Sequence, residues 1–345
     1  MKTFYKFISV LILIIIAFMF FQNYEKNRYA YSTITEVNQL EENLKEIKFT
    51  YKSDEISVIE DESYYLNRRD FKVDDKIVVE YNAEYDVYYI TDFYRADILF
   101  IIFSLFVLTV LVVSGSHGIG ALIGMLASIV VIFKLTLPWI LSGMYPIYAA
   151  IYTALIIAPL TFYSSHGFKK KTHLALVGTL VTLLLAAVVA ILFTDLSNLT
   201  GLASEEASFL DLETLGRINF KGLVLAGMLI GILGLLDDIT ISQASIVNEL
   251  KESKKNISKK ELFTRAMTVG TDHISSLVNT IILIYTGAAL PLLLLFMDKS
   301  QSFLSIINIE TLSEEIVRTL IGSIALVLAV PITTIIAVYY FDKKK

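Results

Sequence analysis

Two polar clusters interrupt an otherwise apolar chain of 345 residues, and both have the composition of an ion or proton path. The first, GILGLLDDITISQASIVNEL, puts Asp237 and Asp238 directly after an apolar run. A helix continuing through it aligns Asp238, Ser242, Ser245 and Glu249 on one face at spacings of four, three and four, with Ile239, Ile246, Val247 and Leu250 opposite. Such a segment is also suited to lie along an inner membrane surface as an amphipathic helix. The second cluster, VGTDHISSLVNTIILIYTGAALP, carries Asp272, Ser276, Asn279, Leu283 and Thr286 at helical spacing, with His273 and Thr280 beside them. Carboxylates, an amide and hydroxyls held away from water bind a cation or pass a proton, and polar groups in an apolar span face protein or a hydrated cavity. The two stripes are expected to face each other. Asp238, Asp272, Asn279, Ser242, Ser245 and Ser276 are therefore the pathway candidates, and Asp237, His273, Thr280, Glu206, Glu315 and Arg318 are secondary ones.

Each candidate has a plainer structural reading. Asp237 is suited to capping or interfacial anchoring, and Asp272, ahead of ISSLVNT, to capping a helix N-terminus. Glu315 and Arg318 are three apart, and an exposed pair of that kind contributes only a few tenths of a kcal/mol. The four histidines, His117, His166, His173 and His273, fall near one side of the expected topology without a close ligand pair or an HExxH sequence, so no metal is assigned. The chain has no cysteine, which removes disulfides, thiolate metal sites and a thiol nucleophile. It has no phosphate loop, nucleophile elbow or dinucleotide fingerprint, and GLLDD with VGTDH departs from the YD and GxGD pair of intramembrane aspartyl proteases. No enzymatic activity, cofactor or nucleic-acid partner is expected; the basic run Lys251 to Lys260 reads as a solvated loop touching anionic lipid.

The elements that must position these residues follow from composition. Hydrophobic residues make up 55% of the chain and charged residues 18%, with a mean hydropathy of +0.64, which leaves too little polar surface to coat a soluble globule. A bilayer core needs roughly 20 apolar residues per crossing. The charges and breaks delimit eight runs, at about 7–24, 97–115, 117–134, 147–163, 174–193, 223–236, 274–296 and 316–340, with SGSHGIG separating the second from the third. The fold expected is a polytopic α-helical membrane protein of about eight transmembrane helices. Glycine faces, at Gly227 and Gly231 and at Gly120, Gly124 and Ser128, suit close helix packing within one chain or in a homo-oligomer.

Lys169, Lys170 and Lys171, then Lys251 to Arg265, then Lys343 to Lys345 fall in alternate loops with the N-terminal Lys2 and Lys6. Because lysine and arginine stay cytoplasmic in short loops, both termini are expected inside the plasma membrane. Residues 1–22 form an anchor helix, retained for want of a small-residue cleavage site. Residues 23–96 lie outside. There EIKFTY, EISVIE, DKIVVEY and DVYYITDF read as strands of a small β-rich domain, either a ligand-collecting module or a structural cap. Residues 97–345 form a seven-helix membrane domain.

From about Asp97 onward the chain resembles the YibE/F family of multi-pass bacterial membrane proteins. The resemblance rests on SHGFKKKT (165–172), SEEAS (204–208), GILGLLDDITISQAS (231–245), KELFTRAMTVGTD (260–272), NTIILIYTGAALPLLLL (279–295) and EEIVRTLIGSIALVLAVP (314–331). It aligns Asp238 with the family's single aspartate and puts Thr271 where the family has arginine. It implies a polytopic protein of transporter type without an assigned substrate. Two functions remain open: a permease or exporter of a small solute or ion, coupled to protons or cations through the sixth and seventh helices, and a scaffold or envelope sensor that uses the external domain.

Overall fold

The computed structural model describes residues 29–51, 54–61, 70–82, 84–295 and 302–342. The expected anchor over residues 1–22 lies outside these. The described residues fall into two compact units, one up to Ile119 and one from Gly120 onward.

The first unit opens with five antiparallel strands: β1 (Tyr29–Glu41), β2 (Leu44–Tyr51), β3 (Asp54–Asp61), β4 (Lys76–Asn82) and β5 (Val87–Phe93). Their order is β3-β2-β1-β4-β5, curled into a half-barrel. The long strand β1 makes the curl. Its first half pairs with β4, Tyr29 opposite Glu80 to Thr33 opposite Lys76, and the rest pairs with β2 from Ile34 opposite Phe49. Alternating residues Ile47 and Phe49, Ile77 and Val79, with Ile34, Phe71 and Ile90, fill the concave side. All four expected strand segments form. β1 was not among them, because YAYSTITEVNQLE is largely polar and its strand character comes from pairing on both edges.

The helices are α1 (Ala96–Val131), α2 (Leu137–Leu141), α3 (Pro146–His166), α4 (Lys170–Leu196), α5 (Glu205–Thr214), α6 (Phe220–Ser253), α7 (Lys259–Ala288), α8 (Leu290–Leu295), α9 (Phe303–Ile307) and α10 (Glu310–Asp342). Within α1 the path breaks at Gly115, where φ is 56° and ψ is −129°, a conformation that glycine adopts without a Cβ clash. The break falls inside SGSHGIG, where the sequence places it. Among the described residues seven helices are long and apolar enough to cross a membrane: 96–115, 117–141, 146–166, 170–196, 220–253, 259–288 and 310–341.

In the second unit α4, α6 and α10 pack around a shared core that α3 and α7 complete, lined by residues such as Ala186, Leu229, Leu236, Ala244 and Leu326. Small residues set the closest approaches. A Cβ on Gly120 would overlap the Ser164 carbonyl oxygen, and one on Gly124 would sit 2.8 Å from Ser164 Oγ, so the 117–131 stretch lies hard against α3. Gly178 of α4 meets Thr333 of α10 in the same way. The pair Gly227 and Gly231 behaves otherwise: nothing lies within 4 Å of a Cβ built on the former, and only Tyr285 Oη, at 3.7 Å, near one on the latter. Among the described residues that GxxxG motif makes no backbone-to-backbone contact with another helix.

Gly270 of α7 faces Val330 Cγ1 at 2.5 Å and Gln243 Oε1 at 2.9 Å from its would-be Cβ. Gly270→Ala is therefore expected to destabilise by about 1–3 kcal/mol through overpacking. Gly227→Ala meets open space and is expected to be neutral or slightly stabilising, in line with alanine's higher helix propensity. Thermal unfolding of the two variants in detergent checks the contrast.

Candidate functional site

The first polar cluster is part of one unbroken helix. α6 starts at the N-cap Asn219, whose Oδ1 accepts from the Gly222 N–H at 2.6 Å, and runs to Ser253. Asp237 and Asp238 thus lie in its interior, and neither caps it. The helical face expected for Asp238, Ser242, Ser245 and Glu249 forms: Asp238 and Glu249 are exposed and the two serines half-buried, while Ile239 and Val247 opposite are buried.

One residue earlier, a rotation of about 100° turns Asp237 inward. Its carboxylate lies beside Thr161 of α3, and its Oδ1 is buried with no hydrogen-bond partner among the described residues. Thr161 has a single hydroxyl proton and donates it to the Ala158 carbonyl at 3.1 Å, so a bond between Thr161 Oγ1 and the carboxyl group forms alongside it only when Asp237 is protonated and donates. An inward carboxylate with an unmatched oxygen is the arrangement that binds a proton or a small cation.

The second cluster sits in the middle of α7. That helix starts at Ser258, whose Oγ accepts from the Glu261 N–H, so Asp272 is not a cap either. The helix begins well before the expected Ile274 because its charges are matched: Glu261 pairs with Lys254 and with Arg265. Leu262, Ala266, Gly270 and Ile281 are buried against the core, with Ile274, Leu277 and Tyr285 packed beside them. Asp272 is nine residues from Ile281, which is half a turn away on a helix. Asp272, Ser276, Asn279 and Thr280 are accordingly exposed, and His273 is half-buried at the flank.

The expectation that the two stripes face each other is therefore not met. Asp238 shares its α6 face with Gly231, seven residues earlier, and that face meets α7 at Tyr285, on the apolar side of α7. A helix presents one face to its bundle, and α7 presents its apolar one.

Sequence reasoning passed over the polar residues that do converge. Gln243, buried on α6, donates from Nε2 to the Ala266 carbonyl of α7 at 3.0 Å and to Thr334 Oγ1 of α10 at 2.7 Å. Thr334 in turn donates to the Val330 carbonyl at 2.7 Å. On the side toward α4, Thr240 donates to the Leu236 carbonyl, leaving Thr179 to donate to Thr240 across 2.7 Å. Buried Thr333, Thr172 and Thr194 have hydroxyls without partners. A glutamine set among Ile, Ala and Val is the signal that was available, since such a side chain in an apolar helix must find partners on a neighbour.

The outlying candidates sit at the starts of α5 and α10. Arg318 is half-buried and bridges both Glu314 and Glu315, so the expected exposed pair is a three-residue cluster at the start of α10. Glu310, nearby, accepts from the Gly201 N–H at 3.2 Å and from Thr200 Oγ1 at 2.9 Å, tying the 197–204 loop to α10. Glu206 is exposed in the first turn of α5, which Ser204 caps. Among the described residues no three His, Asp or Glu side chains come close enough to share a metal ion. His173 Nδ1 instead pairs with Tyr163 Oη at 2.8 Å.

A family model described as YibE/F-like protein matches residues 102–343, from within the first long helix to the end of the last. The chain belongs to the YibE/F-like family. No curated protein and no solved structure matches it. In this YibE/F-like chain Asp238 is the exposed member of the aspartate pair, and its neighbour Asp237 enters the bundle.

If Gln243 anchors the crossing of α6, α7 and α10, Gln243→Leu should lower stability by about 1–3 kcal/mol, through the loss of two buried hydrogen bonds. Asp238→Asn, on an exposed face, should change it by less than about 0.5 kcal/mol. Denaturation midpoints of the two purified variants distinguish them.

Proposed function

We propose that this chain is a multi-pass plasma-membrane permease or exporter, not an enzyme, moving a small charged solute or ion with Asp237 as its coupling group. The membrane assignment is supported by seven long apolar helices and by the alternation of basic loops. In that topology both termini are cytoplasmic and the β-rich domain lies outside. The single observation that carries the transport reading is the carboxylate of Asp237, turned toward α3 with one buried oxygen unmatched. A carboxylate inside a spanning helix, facing the bundle interior, is costly unless a proton or cation visits it.

Because the polar stripe of α7 is turned away from α6, this reading puts the path between α3 and α6, beside Asp237. The small residues of the 117–131 stretch, Gly120, Gly124 and Ser128, border it through Thr161 and Ser164. Binding at Asp237 would compete with the Thr161 hydrogen bond, giving a simple exchange between a proton-occupied and an ion-occupied state.

A second reading, the membrane scaffold, is favoured by a different observation. The crossing at Gln243, Gly270 and Val330 is tight, and both Gln243 amide donors are matched across it, as in a static support. One experiment separates the two. The full chain is reconstituted in proteoliposomes enclosing a pH-sensitive dye, a pH gradient is imposed, and monovalent and divalent cations are added in turn. A transporter should show cation-dependent collapse of the gradient that falls at least tenfold in Asp237→Asn and persists in Asp238→Asn. Identical traces for wild type, Asp237→Asn and protein-free vesicles would overturn the proposal in favour of the scaffold.

A further inference from the structure

The hydroxyls placed around Asp237 have no proton to spare. Thr161 Oγ1 donates to the Ala158 carbonyl at 3.1 Å, and Ser164 Oγ, one turn further along α3, donates to the Thr161 carbonyl at 3.1 Å. A hydroxyl has one proton, so what both present outward is lone pairs. On the 117–131 stretch that packs against α3, Ser128 Oγ is committed in the same way to the Gly124 carbonyl at 2.9 Å. The buried Asp237 Oδ1 is a further acceptor, and no basic side chain among the described residues reaches it. Moreover, α3 ends at His166, so Ser164 belongs to its last turn, where carbonyls outnumber the N–H groups available to them and form the negative end of the helix dipole.

A setting made of acceptors selects its ligand by charge. An anion is repelled, and a neutral solute leaves the carboxylate uncompensated away from water. The number of charges then narrows the choice. Asp238 lies on the exposed face, and among the described residues no three His, Asp or Glu side chains come together, so the site offers one negative charge and neutral oxygens. That matches a single positive charge. Magnesium gives up its water reluctantly, and calcium takes about six to eight oxygens, usually with more than one carboxylate among them. Oxygen donors without nitrogen or sulfur disfavour the softer transition metals. A Cβ on Gly124 would stand 2.8 Å from Ser164 Oγ and 3.3 Å from Thr161 Cα, and packing that close admits a bare metal ion more readily than an organic cation.

We propose that the ion taken by Asp237 is a monovalent metal cation of sodium size, held between the Asp237 carboxylate and Thr161 Oγ1 with the C-terminal end of α3 behind it. The proposal rests on the reading of Asp237 as the coupling group and adds the class of ion. With Asp237 ionised, its carboxylate and Thr161 Oγ1 are two acceptors side by side. A cation matches both without disturbing the bond from Thr161 to its own backbone. Carbonyl-bearing helix ends are a recurrent means of holding sodium inside a membrane.

Binding is read on the purified full chain in detergent, independently of transport. Thermal unfolding is followed in sodium, lithium, potassium, magnesium and calcium chloride against choline chloride at equal ionic strength, and uptake of radioactive sodium by the immobilised protein gives the affinity. Sodium and lithium should raise the midpoint progressively with concentration, as a ligand of the folded state does. The response should vanish in Asp237→Asn and persist in Asp238→Asn. Sodium affinity should fall roughly tenfold or more in Thr161→Val and return in Thr161→Ser, a pair that carries the test if Asp237→Asn does not fold. A response to magnesium or calcium and not to sodium, lost in Asp237→Asn, would overturn the monovalent assignment and leave Asp237 as the coupling group. Equal sodium responses in wild type, Asp237→Asn and Thr161→Val would overturn the site. No response to any of these cations would overturn the proposal too, and the transport reading falls with it only if Asp237→Asn also leaves the proteoliposome traces unchanged.

Discussion

A polar side chain inside an apolar helix bundle has to be matched, and in this protein that requirement decides which helices meet and where. Gln243 satisfies it by joining three helices at one level through Ala266 and Thr334. Thr240 and Thr179 satisfy it by joining two. Asp237 satisfies it only in part, with one oxygen stranded beside Thr161. On α6, within two turns, a glutamine whose amide donors are both matched thus stands beside a carboxylate with one oxygen unmatched.

The same requirement explains the two-sided character of α7. Its apolar side is committed to the core through Leu262, Ala266, Gly270 and Ile281, so its polar side must look elsewhere. Asp272, Ser276, Asn279 and Thr280 on that side stay exposed among the described residues. Glycines differ in the same way: Gly120, Gly178 and Gly270 lie against neighbouring helices, whereas Gly227 meets none among the described residues.

Much of this architecture is legible in the sequence, because the cost of charge in hydrocarbon writes the helix limits directly. The break at Gly115, the continuation of α6 through Asp237 to Leu250, and four of the five strands all follow from local residues. The start of α7 was equally legible: Ser258 followed three residues later by Glu261 is a capping signature, and it outranks Asp272, which sits mid-helix. What local residues do not carry is azimuth. Asp237 and Asp238 are adjacent and chemically identical, and one faces inward only because α3, more than seventy residues earlier, packs on that side. The direction of the α7 stripe likewise depended on whether its apolar or its polar face won the core, a competition settled by Gly270 fitting against Val330 and Gln243.

The central claim is that Asp237 lies on a hydrated route and not in dry packing, and thiol accessibility measures this most directly. In the naturally cysteine-free chain, Asp237→Cys and Thr240→Cys are reacted in sealed vesicles with a small, charged, membrane-impermeant thiol reagent. The account predicts that Asp237→Cys is modified, and more slowly when a transported cation is present, while Thr240→Cys, fully buried between α6 and α4, stays unreacted. Two equally inert thiols would contradict it.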